Sequence, residues 1–272
     1  MPKLYIVATP IGNLEDISLR ALRVLKDSTL IAAEDTRTTK KLLVRYNIET
    51  PLTSFHEHNQ ARRTPQIIES LKYGDVVLVS DAGVPVISDP GRQLIRKALD
   101  LKIPVSPIPG PSAITSALSV SGMNANKFIF TGFLPKRKTD RQKVLKDMGT
   151  SDATILIFES PHRLRDSLND LLNILGDRKI TICRELTKKY EEILFTTISK
   201  ALAHYDAPRG EFTLVVEGCP IKKDVWDDNR TKTSLSNLKE QGFKAREAVA
   251  TVTQASGLPK RHVYKQWLSI DG

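Results

Sequence analysis

Residues 31–43, IAAEDTRTTKKLL, turn from apolar to ionic within two positions. Glu34 and Asp35 stand side by side at the end of the apolar run, with Arg37, Lys40 and Lys41 close behind. Adjacent carboxylates can accept or orient a hydroxyl proton, and nearby cations can meet phosphates. A plainer account also fits. Asp35 or Thr36 can cap the helix TTKKLLVRY, whose apolar face is Leu42, Leu43 and Tyr46, leaving the lysines in solvent. Three further loops, ATPIGNLED, SDAGVPVISDPG and PIPGPSAITSAL, each follow an apolar run and hold glycine and proline. Those residues fix tight turns and let a ligand approach backbone amides closely. The chain has no GxxxxGK[ST] loop, no GxGxxG fingerprint and no GxSxG elbow. His56 and His58 stand two apart in a loop without zinc-ligand spacing, so no metal is expected. The loops suit a ligand held by backbone contacts better than a gripped triphosphate.

Strands must position these loops. Short, largely β-branched apolar runs occur at 4–8, 30–33, 76–80, 103–108, 128–130, 154–158, 180–183, 193–198 and 212–216. Their continuous rather than alternating character predicts strands covered on both faces. Helical patterns lie between most of them. SLRALRVLKD aligns Leu19, Leu22 and Leu25, and SPHRLRDSLNDLLNILG starts with Ser160 as N-cap and Pro161 as first helical residue. Alternating strands and helices predict an α/β fold in which loops at the carboxyl ends of the strands line a ligand crevice. The spacing tightens after residue 120. We therefore expect an N-terminal α/β domain at 1–120, a second, more mixed α/β domain at 121–220, and a linker with a helix-turn-helix-like tail at 221–272. In that tail Thr253, Gly257 and Val263 stand where such a helix pair wants a small residue, a turn glycine and an apolar contact.

Over 272 residues the net charge is +10, which favours a polyanionic partner. The two cysteines, Cys183 and Cys219, form no redox or metal spacing, as in a reducing compartment such as the cytoplasm. No apolar stretch is long enough to span a membrane, and MPKLYIVATP runs directly into a strand pattern rather than a signal peptide.

VATPIGNLEDIS, AAEDTRTTKKLL, SDAGVPVISDPG, PIPGPSAITSAL, GFLP, FESPHR and RGEFTLVVEG occur in this order. Together they resemble the small-subunit ribosomal RNA methyltransferase I family of the tetrapyrrole-methylase superfamily. The resemblance covers roughly residues 3–218, and the tail matches that family's usual appendage. It implies two αβα domains of tetrapyrrole-methylase type, S-adenosyl-L-methionine as donor, 2′-O-methylation of a cytidine in 16S rRNA of the 30S subunit, and a homodimer. The wider superfamily's GxGPG turn is ATPIG here, which points away from a tetrapyrrole acceptor. Carried over by motif, the donor-binding positions are Pro10, then Asp81, Ala82, Gly83, Val84 and Ile87, then Ser112 and Ala113. The second half adds Phe133, Leu134, Phe158, Glu159, Gly210, Glu211, Phe212 and Thr213. Ser112 can also be the N-cap of AITSALSV.

Methyl transfer from a sulfonium needs alignment more than a catalytic triad, because the donor is already activated. Candidate bases are Asp35, Glu34, Glu159 and Glu211, in that order. For RNA contacts we expect Arg37, Lys40 and Lys41; Lys136, Arg137, Lys138 and Arg141 in LPKRKTDRQK; His162 and Arg163 at a helix start; and Lys260 and Arg261 in the tail. Two other readings use the same features. One is a nucleic-acid-binding regulator with a ligand-sensing α/β body, and the other a methyltransferase acting on a small molecule. The ordered loops at strand ends favour catalysis over the first, and the lysine-rich loops weigh against the second.

Overall fold

The computed structural model describes residues 1–220 and 226–270. Residues 221–225 of the expected linker, and the last two of the tail, lie outside the described residues. The chain forms two compact units, Met1–Cys219 and Pro220–Gly272.

The first sheet is built from β1 (Leu4–Val7), β2 (Leu30–Ala33), β3 (Leu52–Ser54), β4 (Val76–Val79) and β5 (Val105–Ile108), in the order β3-β2-β4-β1-β5. All its pairings are parallel. Period-two alternation sends Val7, Val77 and Val79 into one core, with Leu25 and Leu42. Leu4, Val76 and Leu78 enter another, with Ile67 and Leu94. Each fully buried aliphatic side chain contributes about 1.5–3 kcal/mol, so both faces of the sheet must be covered. The edge strand β3 was not expected; it has only three residues, and none is fully buried.

The helices α1 (Leu19–Asp27), α2 (Thr36–Arg45), α3 (Gln60–Ser70), α4 (Arg92–Asp100) and α5 (Ala113–Val120) return the chain between strands or follow the last. α1 corrects the helical reading at one residue. The Ser18 hydroxyl accepts the Ala21 amide at 3.1 Å, so Leu19 occupies the first turn and is 86% exposed while Ala21 and Leu25 are buried.

The second sheet contains β6 (Phe128–Phe133), β7 (Thr154–Glu159), β8 (Lys179–Arg184), β9 (Glu192–Thr197) and β10 (Phe212–Val216), ordered β6-β7-β10-β8-β9. Only β6 and β7 pair in parallel; the rest are antiparallel. On one face it shares a core with α6 (Lys138–Gly149), α7 (Leu164–Leu175) and α8 (Ile198–His204). Its other face is covered by α5: Ile114, Ala117 and Leu118 pack with Leu156, Cys183 and Val215. The last helix before residue 120 thus seals the second sheet, and both sheets belong to one compact unit.

The helix expected from Ser160 begins at Leu164 instead. The Glu159 carboxylate accepts the Ser160 amide at 2.8 Å and the Ser167 hydroxyl at 2.5 Å. The Arg163 amide donates to the Ser160 carbonyl at 3.1 Å, so 160–163 is a turn. The C-terminal unit contains α9 (Asp228–Glu240), α10 (Ala245–Ser256) and α11 (Lys260–Leu268) around Leu235, Val249, Val252, Val263 and Trp267. Gly257 ends α10 at φ +66°, a left-handed position where glycine carries no side-chain penalty.

Candidate functional site

β4, β1 and β5 are neighbours at the centre and edge of the parallel sheet, so the three glycine- and proline-rich loops leave adjacent strand ends. Thr9 and Gly83 join two of these loops by reciprocal backbone hydrogen bonds of 2.9 Å, with Gly83 at φ +79°. β2 lies on the other side of β4, which brings the Glu34–Asp35 pair alongside them. The loops open onto a cavity of about 390 Å³, within the range that holds small ligands. The second sheet supplies its other wall.

Most expected donor positions converge there. Asp81, Ala82, Gly83, Val84 and Ile87, with Ser112 and Ala113, form the first-sheet wall. Phe133, Phe158 and Glu159, with Glu211, Phe212 and Thr213, stand across from them. Three expected positions do not line it. Pro10 is buried under its loop, and the next residue, Ile11, reaches the cavity. A β-bulge between Phe130 and Phe133 leaves Phe133 56% exposed while Leu134 turns into the core at 2%. Gly210, at φ +93°, makes room for Glu185, whose side chain would lie 2.7 Å from any added Cβ.

The acids in and beside the cavity differ in what holds them. The Asp81 amide donates to the Glu34 carboxylate at 3.4 Å, and the Asp35 amide donates to the Asp81 carboxylate at 3.0 Å. Burial raises both Glu34 and Asp81 above the usual carboxylate range. Asp35, the first candidate base, is not in the wall. It caps α2 through the Arg37 amide (2.8 Å) and pairs with the Arg37 guanidinium (2.6 Å), which holds it down at about 2. Glu34 is the member of the pair that faces the cavity. Glu159 is consumed by the 160–163 turn, and Glu211 pairs with Lys188 at 2.8 Å.

Sequence reasoning missed Ser88, Asp89, Ile114, Cys183 and Leu186 in the wall, and gave Ser160 and Pro161 only to a helix start. The Ser-Asp pair at 80–81, repeated at 88–89 in the same loop, was an available sign for Asp89. Nothing local marks Cys183 or Leu186. Burial pushes Asp89 up to about 6, with the charges of Glu34 and Asp81 adding to it and the Ser80 hydroxyl opposing. Burial likewise pushes the Cys183 thiol up to about 11.

The residues present fit S-adenosylmethionine. Phe158 meets Phe130 and Phe133 edge-on, at centroid distances of 4.9 and 5.8 Å, and with Ile11 and Leu186 gives an apolar wall that can take an adenine. Glu34, Asp81 and Asp89 offer negative charge to a cationic ligand. Ser112 holds the N-cap position of α5 without a side-chain cap bond.

Of the expected RNA contacts, Arg37, Lys40 and Lys41, then Lys136, Arg137 and Lys138, then His162, Lys260 and Arg261 are exposed. Arg37 is shared with Asp35. Arg141 and Arg163 are structural instead. Arg141 is 5% exposed and pairs with buried Asp170 at 2.6 Å. Arg163 donates to the carbonyls of Leu134 (2.5 Å) and Pro135 (3.2 Å). A buried cation already paired has no reach to a phosphate.

Residues 3–202 match the family described as tetrapyrrole (corrin/porphyrin) methylases. The ribosomal RNA small subunit methyltransferase I of Halalkalibacterium halodurans is 46% identical over 96% of this chain and 93% of its own length. That of Bacillus subtilis is 45% identical over 96% and 92%. That of Thermotoga maritima is 49% identical over 80% of this chain and 99% of its own. Among solved structures, diphthine synthase superposes with a TM-score of 0.64 at 14% identity, over 80% of this chain and 90% of that one. Uroporphyrin III C-methyltransferase from Thermus thermophilus gives 0.57 at 16%, over 79% and 97%. At such identities the likeness is one of fold.

Proposed function

The chain belongs to the ribosomal RNA small subunit methyltransferase I family of tetrapyrrole-type methylases, and from that premise we propose that it methylates the ribose 2′-hydroxyl of a cytidine in 16S rRNA. The observation that carries this reading is the convergence of loops from three adjacent strands on one cavity with an apolar wall and three carboxylates, Glu34, Asp81 and Asp89, on its first-sheet side. When bound, S-adenosylmethionine supplies an electrophilic methyl group on a sulfonium centre.

The chain's own residues hold and align. Ile11, Phe133, Phe158 and Leu186 take the flat apolar part, while Asp81 and Ser112 offer partners to polar groups of the donor. Alignment of reacting atoms supplies about 7–11 kcal/mol of a barrier, so a site without a triad is sufficient. Glu34 stands where a ribose hydroxyl would be oriented, and the exposed Lys40, Lys41, Lys136, Arg137 and Lys138 would meet backbone phosphates.

In this reading residues 1–120 carry the donor loops, 121–220 the opposite wall, and 221–272 a basic tail that grips RNA through Lys260 and Arg261. The protein works in the cytoplasm, where its substrate is assembled, and as a homodimer. Ile193 and Phe195, exposed on the edge strand β9 at 43% and 58%, support a covered edge. No helix among the described residues is long and apolar enough to cross a membrane.

Incubation with methyl-labelled donor and either 30S subunits or free 16S rRNA tests the function. Label on a cytidine ribose is the expected result. Label on a base, or donor binding without transfer to any RNA, overturns it. Light scattering across micromolar concentrations tests the dimer, and a constant monomer mass refutes it.

A further inference from the structure

The loop between β8 and β9, residues 185–191 (ELTKKYE), reaches from the cavity to the surface. Leu186 is buried and lines the cavity. Glu185 and Thr187, on either side of it, have φ of +52° and +64°. These left-handed values disfavour any side chain, and a β-branched one most. Such a backbone persists only where its surroundings over-determine it, and it concentrates at functional sites.

The bracing is extensive. The Glu185 amide donates to the Glu211 carbonyl at 3.0 Å. The Glu185 carboxylate accepts the Glu211 amide at 2.8 Å and meets the Lys188 ammonium at 3.1 Å. The Thr187 amide donates to the Glu191 carboxylate at 2.5 Å, and the Thr187 hydroxyl accepts the Asn13 amide at 3.0 Å. Gly12 fits so closely against the loop that an added Cβ would lie 2.5 Å from the Lys188 side chain and 2.7 Å from the Leu186 carbonyl.

Those contacts engage Glu185, Thr187, Lys188 and Glu191, and Leu186 faces the cavity. Lys189 and Tyr190 are left pointing outward. Both are exposed, Tyr190 at 68%, and the Lys189 ammonium lies 5.6 Å from the Tyr190 ring centroid. The ring belongs to no hydrophobic cluster among the described residues. A tightly held backbone therefore presents an aromatic face and a cation to solvent, where they add nothing to the core. Single-stranded nucleic acid is gripped by that pairing: the ring stacks a base and the cation meets a neighbouring phosphate. A rigid loop makes such a contact at small entropic cost.

We propose that Tyr190 is a stacking platform for a base of the rRNA strand beside the target nucleotide, with Lys189 on the adjoining phosphate. The proposal rests on the RNA reading above and adds to it a contact outside the donor cavity, since neither residue lines that cavity. A second copy of this chain is the other occupant such a surface could take, because exposed Ile193 and Phe195 follow on β9. At a net charge of +10, a second copy brings like charge to Lys189, whereas RNA brings phosphate.

The test uses the full-length chain and compares wild type with Tyr190→Ala, Tyr190→Phe, Tyr190→Leu and Lys189→Ala. The RNA is whichever of 30S subunits or free 16S rRNA takes label from wild type. Initial rates give KM and kcat, filter retention gives RNA affinity, calorimetry gives donor affinity, and light scattering gives mass. Tyr190→Ala is expected to raise KM and weaken RNA binding roughly 5- to 150-fold, with kcat, donor affinity and mass unchanged. Tyr190→Phe should restore binding and Tyr190→Leu should not. Lys189→Ala should lower the salt slope of binding by about 0.7. Undiminished RNA affinity in Tyr190→Ala overturns the proposal, as does a Tyr190→Leu protein that binds as well as Tyr190→Phe. Loss of donor affinity, or a fall in mass that accompanies the loss of RNA binding, also overturns it; the latter gives the surface to a second copy. Thermal unfolding of each variant separates these results from misfolding. Label on a base, or no label on any RNA, sinks the functional reading itself, whereas ribose label with an unimpaired Tyr190→Ala sinks only the stacking contact.

Discussion

Glu159 and Asp89 line the same cavity from opposite walls, yet their carboxylates lead different lives. Glu159, at the end of β7, is 2% exposed and has an amide and a hydroxyl at 2.8 and 2.5 Å, with the Arg163 guanidinium 3.7 Å away. Asp89, in the loop after β4, stands near two other acids, with the Ser80 hydroxyl as its hydrogen-bond partner and no cation acting on it among the described residues. The second-sheet wall uses its ionic groups to close turns and bury charge, as Arg141 and Asp170 also show. The first-sheet wall leaves Asp89 with a hydroxyl but no cation among the described residues, and places it in the cavity lining. An acid in a cavity wall is thus informative only once its partners are counted.

The contrast can be broken in four ways, beginning with the largest effect. Glu159→Ala strips the Ser160 amide, the Ser167 hydroxyl and Arg163 of their acceptor, and is expected to cost about 3–5 kcal/mol in urea unfolding. A loss below about 1 kcal/mol would place Glu159 with the functional acids. Cys183, on the same wall with its thiol at about 11, is expected to alkylate on the order of 10²-fold more slowly than an unperturbed thiol at pH 7.5. Peptide mass spectrometry reads its modification, and a rate like that of free cysteine would mean the wall opens to water.

Replacing Lys136 and Lys138 with alanine should flatten the salt dependence of RNA binding, by roughly 0.7 in log–log slope for each single-strand phosphate no longer neutralised. Arg141→Ala should leave that slope alone and lower the melting temperature instead. Reversal of these two outcomes would undo the division between exposed and buried cations.

The smallest effect concerns stability at Asp89. Its folded value, about 6, lies above the ordinary 3.8, so ionisation opposes folding. The penalty is absent below about pH 4, grows between pH 4 and 6 and is complete above that window. Asp89→Asn should therefore stabilise the protein at pH 7 by about 1 kcal/mol, a figure reduced for the side chain's exposure to solvent, and by nothing at pH 4. Denaturant midpoints at both pH values measure it, and a destabilised variant at pH 7 would refute an unfavourable ionisation at this carboxyl.

Both sheets were legible because continuous β-branched runs leave few other places for their apolar surface. The three-residue β3, with no fully buried position, left no such mark. Of the site, whole motifs were readable and individual atoms were not. Pro10 missed the cavity by one residue, to Ile11 in the loop after β1, and Leu134 lies in the core beside Phe133, which does line it, because the irregularity at the end of β6 and the turn after β1 set which neighbour faces the cavity. Arg141 read as one basic residue among several, since its partner Asp170 lies on a different helix.

The order of apolar runs and turn residues along the chain settled the class of fold, its family and the loops that bear the chemistry, because those depend on local periodicity and on glycine and proline geometry. Which carboxylate lies beside other acids without a cation, which arginine is buried, and that α5 seals the second sheet were decided only when distant segments met. Desolvation and pairing depend on neighbours in space, and a residue's own letter does not carry them.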